Sequence, residues 1–134
     1  MRGSCLCGNV RYEACGEALG INYCHCRQCR KASGTAFATN AGVARSRFEI
    51  LEGEDSLAAY ATSPGKARRF CRRCGSPIFS ESERSPEVVY VRIGTLDDDE
   101  GLAPDVHIHV GSKAAWYEIR DELPQLREEE GLWF

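Results

Sequence analysis

Apolar and polar residues alternate along much of this chain. Val10, Tyr12 and Ala14 are interleaved with Arg11 and Glu13, the period-two pattern of a strand with one buried face. Thr35–Val43, Arg47–Glu52, Leu57–Ala61 and Ala67–Cys71 are further strand candidates. So are Ile78-Phe79, Glu87–Gly94 with its Val-Val-Tyr-Val run, and Val106–Val110. Gly, Pro and Ser punctuate the gaps between them. Helical patterning is scarce. Cys26–Ala32 is long enough for one or two turns, and Lys113–Leu123 reads as a short helix with Ser112 as its N-cap. Closely spaced strands with few helices predict a mainly β protein built from small antiparallel sheets. No internal repeat or low-complexity tract interrupts the pattern.

Length and charge narrow the picture modestly. A chain of 134 residues is expected to form one domain over residues 1–134. Such a chain buries enough surface for a real core without needing disulfides. Seventeen basic and twenty acidic residues give a net charge of -3, which does not favour nucleic-acid binding. No charged-then-apolar leader opens the sequence, and no apolar run approaches the ~20 residues of a membrane span. A soluble, cytoplasmic protein without a membrane partner is therefore expected. The acidic runs Asp97-Asp98-Asp99-Glu100 and Glu128-Glu129-Glu130 lack the spacing of a calcium loop and read as solvated segments.

The cysteines change the picture most. In a reducing compartment, clustered thiols read as metal ligands before they read as disulfides. Seven of the eight cysteines fall into tight clusters. In an extended segment, residues two apart point the same way, so Cys5 and Cys7 can face one metal while Leu6 faces away. Cys71 and Cys74 sit on a C-x-x-C turn. Gly8 follows Cys7 and Gly75 follows Cys74, and glycine there permits a positive φ that turns backbone N–H groups toward sulfur. Together the two pairs offer a closed four-sulfur zinc site. Arg2, Arg69, Arg72 and Arg73 lie near enough in sequence to offset its charge. Closing so long a stretch of chain through a metal makes binding energy into folding energy.

The other cluster is Cys24-His25-Cys26-Arg27-Gln28-Cys29. Alternation puts Cys24 and Cys26 on one side and His25 on the other. A helical turn beginning at Cys26 brings Cys29 to the same side. Three ligands rather than four leave a coordination position for water or substrate. Cys15, His25, His107 and His109 remain as candidates for a fourth ligand, with Cys15 more simply a spare thiol. His107 and His109 would share one face of a short strand, where a wall or structural role suits them better. Arg27, Arg30 and Lys31 would lower thiolate pKa values and attract an anionic substrate. Thr35 and Phe37 lie close enough to line the pocket, although Phe37 suits a core position.

The series C-x-C, C-H-C-x-x-C and C-x-x-C-G-S-P, closed by His107-Ile108-His109-Val110-Gly111-Ser112-Lys113-Ala114-Ala115-Trp116, resembles the glutathione-dependent formaldehyde-activating enzymes, a family that includes the centromere protein V-like proteins. The resemblance implies a β-tent of two small antiparallel sheets with a zinc-ribbon-like core. It implies a structural zinc on Cys5, Cys7, Cys71 and Cys74, and a catalytic zinc on Cys24, Cys26 and Cys29, up to two zinc ions per chain. The implied activity is that of a carbon–sulfur lyase, with glutathione or another small thiol and formaldehyde or another aldehyde as partners. The chain is more compact than the namesake enzymes, and its glutathione-binding positions do not carry over. A rival class is a zinc-stabilised binding module for a protein or nucleic-acid partner. There the triplet would brace a loop, and Lys66-Ala67-Arg68-Arg69 with Arg72-Arg73 would be the partner surface, although charge balance beside the thiolates is the simpler role for that stretch.

Overall fold

The computed structural model describes residues 1–128. Ten strands and one α-helix follow in the order β1 (Arg2–Ser4), β2 (Arg11–Ala14), β3 (Gly20–Cys24), α1 (Arg27–Ser33), β4 (Ala38–Ala44), β5 (Phe48–Glu52), β6 (Leu57–Ser63), β7 (Lys66–Cys71), β8 (Pro77–Ser82), β9 (Val88–Arg92) and β10 (Val106–Ile108). Glu129 and Glu130 of the acidic tail lie outside the described residues. No helix among the described residues is long and apolar enough to cross a membrane.

Strands β1, β2 and β5 form a small antiparallel sheet. The other seven form a larger sheet in the order β10-β3-β4-β9-β8-β7-β6. Its pairings are antiparallel except at one edge, where β10 runs parallel to β3 and sets Ile108 beside Cys24. The mainly β expectation holds, with this parallel pair making the larger sheet mixed. Strand β2 shows the predicted alternation: Tyr12 and Ala14 are buried while Arg11 faces solvent.

Two apolar clusters hold the layers together. The larger joins both sheets through Val10, Tyr12, Val43, Ile78, Val89 and Val91, and includes Cys5 and Cys71. Full burial of one such aliphatic side chain contributes about 1.5–3 kcal/mol. Tyr12 satisfies its buried hydroxyl against Thr95 Oγ1 at 2.7 Å. The smaller cluster surrounds Cys24 and Cys29 with Ala38, Val106 and Ile108.

Two strands were not expected, and one expected helix is absent. Strand β1 is only three residues long. Strand β3 buries Gly20, Ile21, Asn22 and Cys24, so its sequence shows no alternation to read. The predicted helix over Lys113–Leu123 does not form. The chain makes a short turn at Val110–Ser112 and then continues irregularly. It returns so that Pro124 and Leu126 exchange backbone hydrogen bonds with His107 and Val110. Ala114 is buried, and Lys113 Nζ bonds the carbonyls of Ala114 and Tyr117. Pairing with the edge strand β10 and side-chain burial thus override a moderate local helix preference.

Candidate metal centres and the cavity above the triplet

The four sulfurs of Cys5, Cys7, Cys71 and Cys74 lie within 4.8 Å of one another. Cys5 Sγ is 3.5 Å from Cys7 Sγ, and Cys7 Sγ is 3.9 Å from Cys71 Sγ. Tetrahedral thiolate–zinc bonds of ~2.3 Å place sulfurs about 3.8 Å apart, so the donor set fits zinc. Cys5 and Cys71 are buried in the larger core, while Leu6 points to solvent. Gly8 and Gly75 adopt φ of 77° and 80°, as the turns require. The Gly8 N–H meets Cys5 O, the Gly75 N–H meets Cys71 O, and the Val10 N–H donates to Cys5 Sγ at 3.2 Å.

Ser76 ties the halves together. Its hydroxyl accepts from the Leu6 N–H at 2.8 Å and contacts Cys74 Sγ at 3.3 Å. That hydroxyl, with the backbone N–H groups of Ser76 and Cys7, outweighs burial and holds the Cys74 thiol down to about 5. Three of the four arginines expected to neutralise this site have other partners. Arg2 bonds Glu13, Arg69 bonds Glu81 and Arg73 bonds Asn9. Close N–H and O–H dipoles take their place, because short turns bring backbone donors nearer to sulfur than flexible side chains.

The triplet is built from the end of β3 and the start of α1. Cys24, Cys26 and Cys29 offer three sulfurs within 4.8 Å of one another, and no fourth ligand atom joins that group among the described residues. Cys26 caps α1, its sulfur accepting from the Cys29 N–H at 3.3 Å. This set also fits a thiolate-bound zinc. His25 turns to the opposite side and is fully buried. Its Nε2 lies 2.8 Å from His107 Nδ1, and His107 Nε2 lies 3.0 Å from an Asp121 carboxylate oxygen. Burial and then the neighbouring His107 push the His25 imidazole down to about 4. The His107 hydrogen bond holds the Asp121 carboxyl below its usual range. Asp121 accepts from His107 Nε2, and His107 Nδ1 accepts from His25.

Above the triplet lies a cavity of about 250 Å³. Its walls include Arg68, Arg92, Lys66, Arg84, Asn22 and Asn40. The terminal nitrogens of Arg68 are 3.8 and 3.9 Å from Cys29 Sγ. Arg92 donates to Ser80 Oγ at 3.2 Å and to the Tyr90 carbonyl at 3.0 Å. Hydrogen bonds from the Cys24 and Cys26 thiols, then the charges of Arg92 and Arg68, push Cys29 strongly toward thiolate. The same thiol contacts and burial push Cys24 up.

The cations singled out from sequence are elsewhere. Arg27, Arg30 and Lys31 border a separate depression with Thr35 and Trp116, and Arg30 bonds the Ser112 carbonyl. Phe37 packs on Tyr23, His25 and Tyr117. Cys15 is exposed and lies outside both sulfur groups. His107 is a structural hydrogen-bonding residue. His109 is part of the cavity wall, but the two do not share a strand face. Strand β10 ends at Ile108, and His109 takes φ 55°. Arg92 was missed, although a lone cation closing Val-Val-Tyr-Val is a readable signal. Arg68 belongs to the basic stretch read either as a partner surface or as charge balance beside thiolates, and it lies beside Cys29. The alternation of Lys66 and Arg68 along β7 was the available sign that both share a face.

The glutathione-dependent formaldehyde-activating enzyme family matches residues 1–112. The chain belongs to this family. A Halomonas elongata protein named "Putative glutathione-dependent formaldehyde-activating enzyme" is 33% identical over 128 residues, covering 89% of this chain and 80% of its own. An uncharacterized lyase of Schizosaccharomyces pombe is 22% identical over 128 residues, covering 96% of this chain and 91% of its own. The crystal structure of a Rhodobacter sphaeroides protein superposes with a TM-score of 0.64 at 26% identity, covering 93% of this chain and 99% of that one. The family match includes all seven clustered cysteines, Arg68 and Arg92, and ends before Asp121.

Proposed function

We propose that this chain is a zinc-dependent carbon–sulfur lyase-like enzyme acting on a thiol–aldehyde adduct, S-hydroxymethylglutathione or a related small-thiol conjugate. The observation that carries this reading is the cavity. Three converging sulfurs, with no fourth ligand atom among the described residues, form the floor of an open, cation-walled space. Family membership and the names of the relatives agree with it. Structural zinc on Cys5, Cys7, Cys71 and Cys74, and catalytic zinc on Cys24, Cys26 and Cys29, belong to the same proposal.

Cys24, Cys26 and Cys29 would hold zinc with a position left for an exogenous sulfur, whose thiolate form the bound metal would stabilise. The protein's own groups do the rest. Arg68 and Arg92 offset the negative charge of the cysteine thiolates and favour an anionic ligand beside them. Lys66 and Arg84 in the cavity wall extend that positive field toward an incoming acidic thiol. The Asp121–His107–His25 chain anchors the residue between Cys24 and Cys26, so both sulfurs stay turned to the cavity. In the lyase direction the C–S bond breaks, the adduct hydroxyl becomes the aldehyde carbonyl, and its proton leaves for sulfur or solvent. A cytoplasmic location suits this chemistry, because reduced thiols are what both groups require.

The binding-module reading is weaker because Lys66 and Arg68, part of its partner surface, line the cavity instead. The deciding experiment is a thiol-plus-aldehyde turnover screen with metal content measured on the same sample. Cobalt replacement gives a parallel readout, since a new sulfur ligand alters the thiolate-to-metal absorption band. Cys24→Ser, Cys26→Ser and Cys29→Ser should each abolish the response, and Cys15→Ser should not. If no thiol perturbs the cobalt spectrum and no pair turns over, the enzyme reading fails and the module replaces it.

A further inference from the structure

Two residues in the triplet cavity are buried with a polar atom left over. Arg68 is 8% exposed and Asn40 is 7% exposed, and both line the cavity. Among the described residues, Arg68 Nε and Asn40 Oδ1 have no hydrogen-bond partner. The first is a donor and the second an acceptor. Buried groups of this kind are normally satisfied, and exceptions call for a ligand, water or ion. Asn40 is held in place by its Nδ2 bond to Asn22 Oδ1, at 3.2 Å. Arg68 is held by Gln28 Oε1 at 3.4 Å and by its contacts with Cys29 Sγ.

Charge points the same way. Three thiolates around a divalent ion carry one net negative charge, and Arg68 with Arg92 carry two positive ones. Among the described residues no Asp or Glu lines this cavity. The inner chamber therefore stays positive with its metal bound. Because Arg68 touches Cys29, an oxyanion on Arg68 sits only a bond or two from a carbon reacting over the triplet. The carboxylates of glutathione are many bonds from its sulfur and reach outward, toward Lys66 and Arg84. A formaldehyde adduct would offer a sulfur and a hydroxyl but nothing to Arg68.

We propose that the carbonyl partner at this site is a small 2-oxo acid, whose thiol adduct carries sulfur, hydroxyl and carboxylate on one carbon. This deepens the thiol–aldehyde reading and rests on it. The substrate sulfur lies over Cys24, Cys26 and Cys29. The carboxylate accepts from Arg68 Nε with Arg92 beside it, and the hydroxyl donates to Asn40 Oδ1. In the adding direction the C–S bond forms, the carbonyl π bond becomes a C–O single bond, and the proton lost from the thiol ends on that oxygen. The reverse step expels the 2-oxo acid, and neither direction needs an oxidant.

The test compares mercaptoacetate, which like the proposed adduct carries sulfur and carboxylate on one carbon, against neutral 2-mercaptoethanol. Binding to the zinc-loaded protein is followed by calorimetry, and to the cobalt form by its absorption band. Mercaptoacetate should bind at least ~10-fold more tightly, the scale of one charge-assisted hydrogen bond. Arg68→Gln should erase the preference, while Arg27→Gln, on the outer side of α1, should leave it intact. Should Arg68→Gln fail to fold, the near-isosteric Asn40→Asp should erase the preference by charge repulsion, with melting curves confirming its fold. Equal affinities overturn the 2-oxo acid proposal and leave the thiol reading standing. A preference that survives both variants also overturns it, since the carboxylate is then held elsewhere. Binding of neither compound overturns both readings.

Discussion

The two sulfur groups differ less in chemistry than in what surrounds them. Cys5 and Cys7 meet Cys71 and Cys74 across a separation of 64 residues between Cys7 and Cys71. Turn N–H groups and the Ser76 hydroxyl surround those sulfurs, and two of them are packed into the larger core. Cys24, Cys26 and Cys29 come from one continuous stretch, and their open side meets arginines and a cavity. Where ligation closes a long loop and donors fill every side, a metal can serve the fold. Where ligation is local and one side is left to cations and space, it can serve a substrate.

The largest expected contrast is in folding. Cys74→Ala should remove at least ~3 kcal/mol of unfolding free energy if the proposed structural zinc is held there, since it would weaken a metal clamp whose binding energy is folding energy. Cys29→Ala should leave a folded domain with less bound zinc. Denaturant titrations with zinc analysis decide this, and equal large losses would make both groups structural. Next comes metal affinity. Stepwise chelation should empty the three-sulfur group before the four-sulfur group, followed by zinc content and by recovery of cobalt bands. A protein retaining zinc only on Cys24, Cys26 and Cys29 would reverse the assignment.

Ser76→Ala gives a smaller and more specific test. It removes the acceptor of the Leu6 N–H and the hydroxyl at Cys74, at a cost of about 1–2 kcal/mol. Thiol binding at the triplet should be unchanged, and a large change there would show that the two groups are coupled. The smallest effect is expected at Asp121, which is partly exposed. The His107 hydrogen bond holds its carboxyl below the ordinary carboxylate range, so its stabilising contribution is present above the ordinary value and lost as pH falls through the lower folded value. Asp121→Asn should therefore melt slightly below the parent near neutral pH, with the gap closing below about pH 4. A gap that persists in acid would mean that shape, not charge, is what His107 requires.

Much of the candidate chemistry was legible because it is local. Cysteine spacing, strand alternation and a glycine after each pair are properties of a few neighbouring residues, and stereochemistry converts them directly into direction. That is why both sulfur groups, the turn of His25 away from the sulfurs and the helical turn that starts at Cys26 could be read before any fold was in hand. Strand β3 was not legible because it is buried on both faces, with Asn22 inside, and periodicity carries no signal there. The helix expected at Lys113–Leu123 was lost to pairing with β10, a partner that only the fold supplies. Arg68 comes from β7 and Arg92 from the end of β9, far along the chain from Cys29, so nothing in their local sequence names Cys29 as a neighbour. The chain's own order determined which residues can hold metal. Tertiary packing alone decided which charges face it, because sheet pairing brings together residues that the chain keeps far apart.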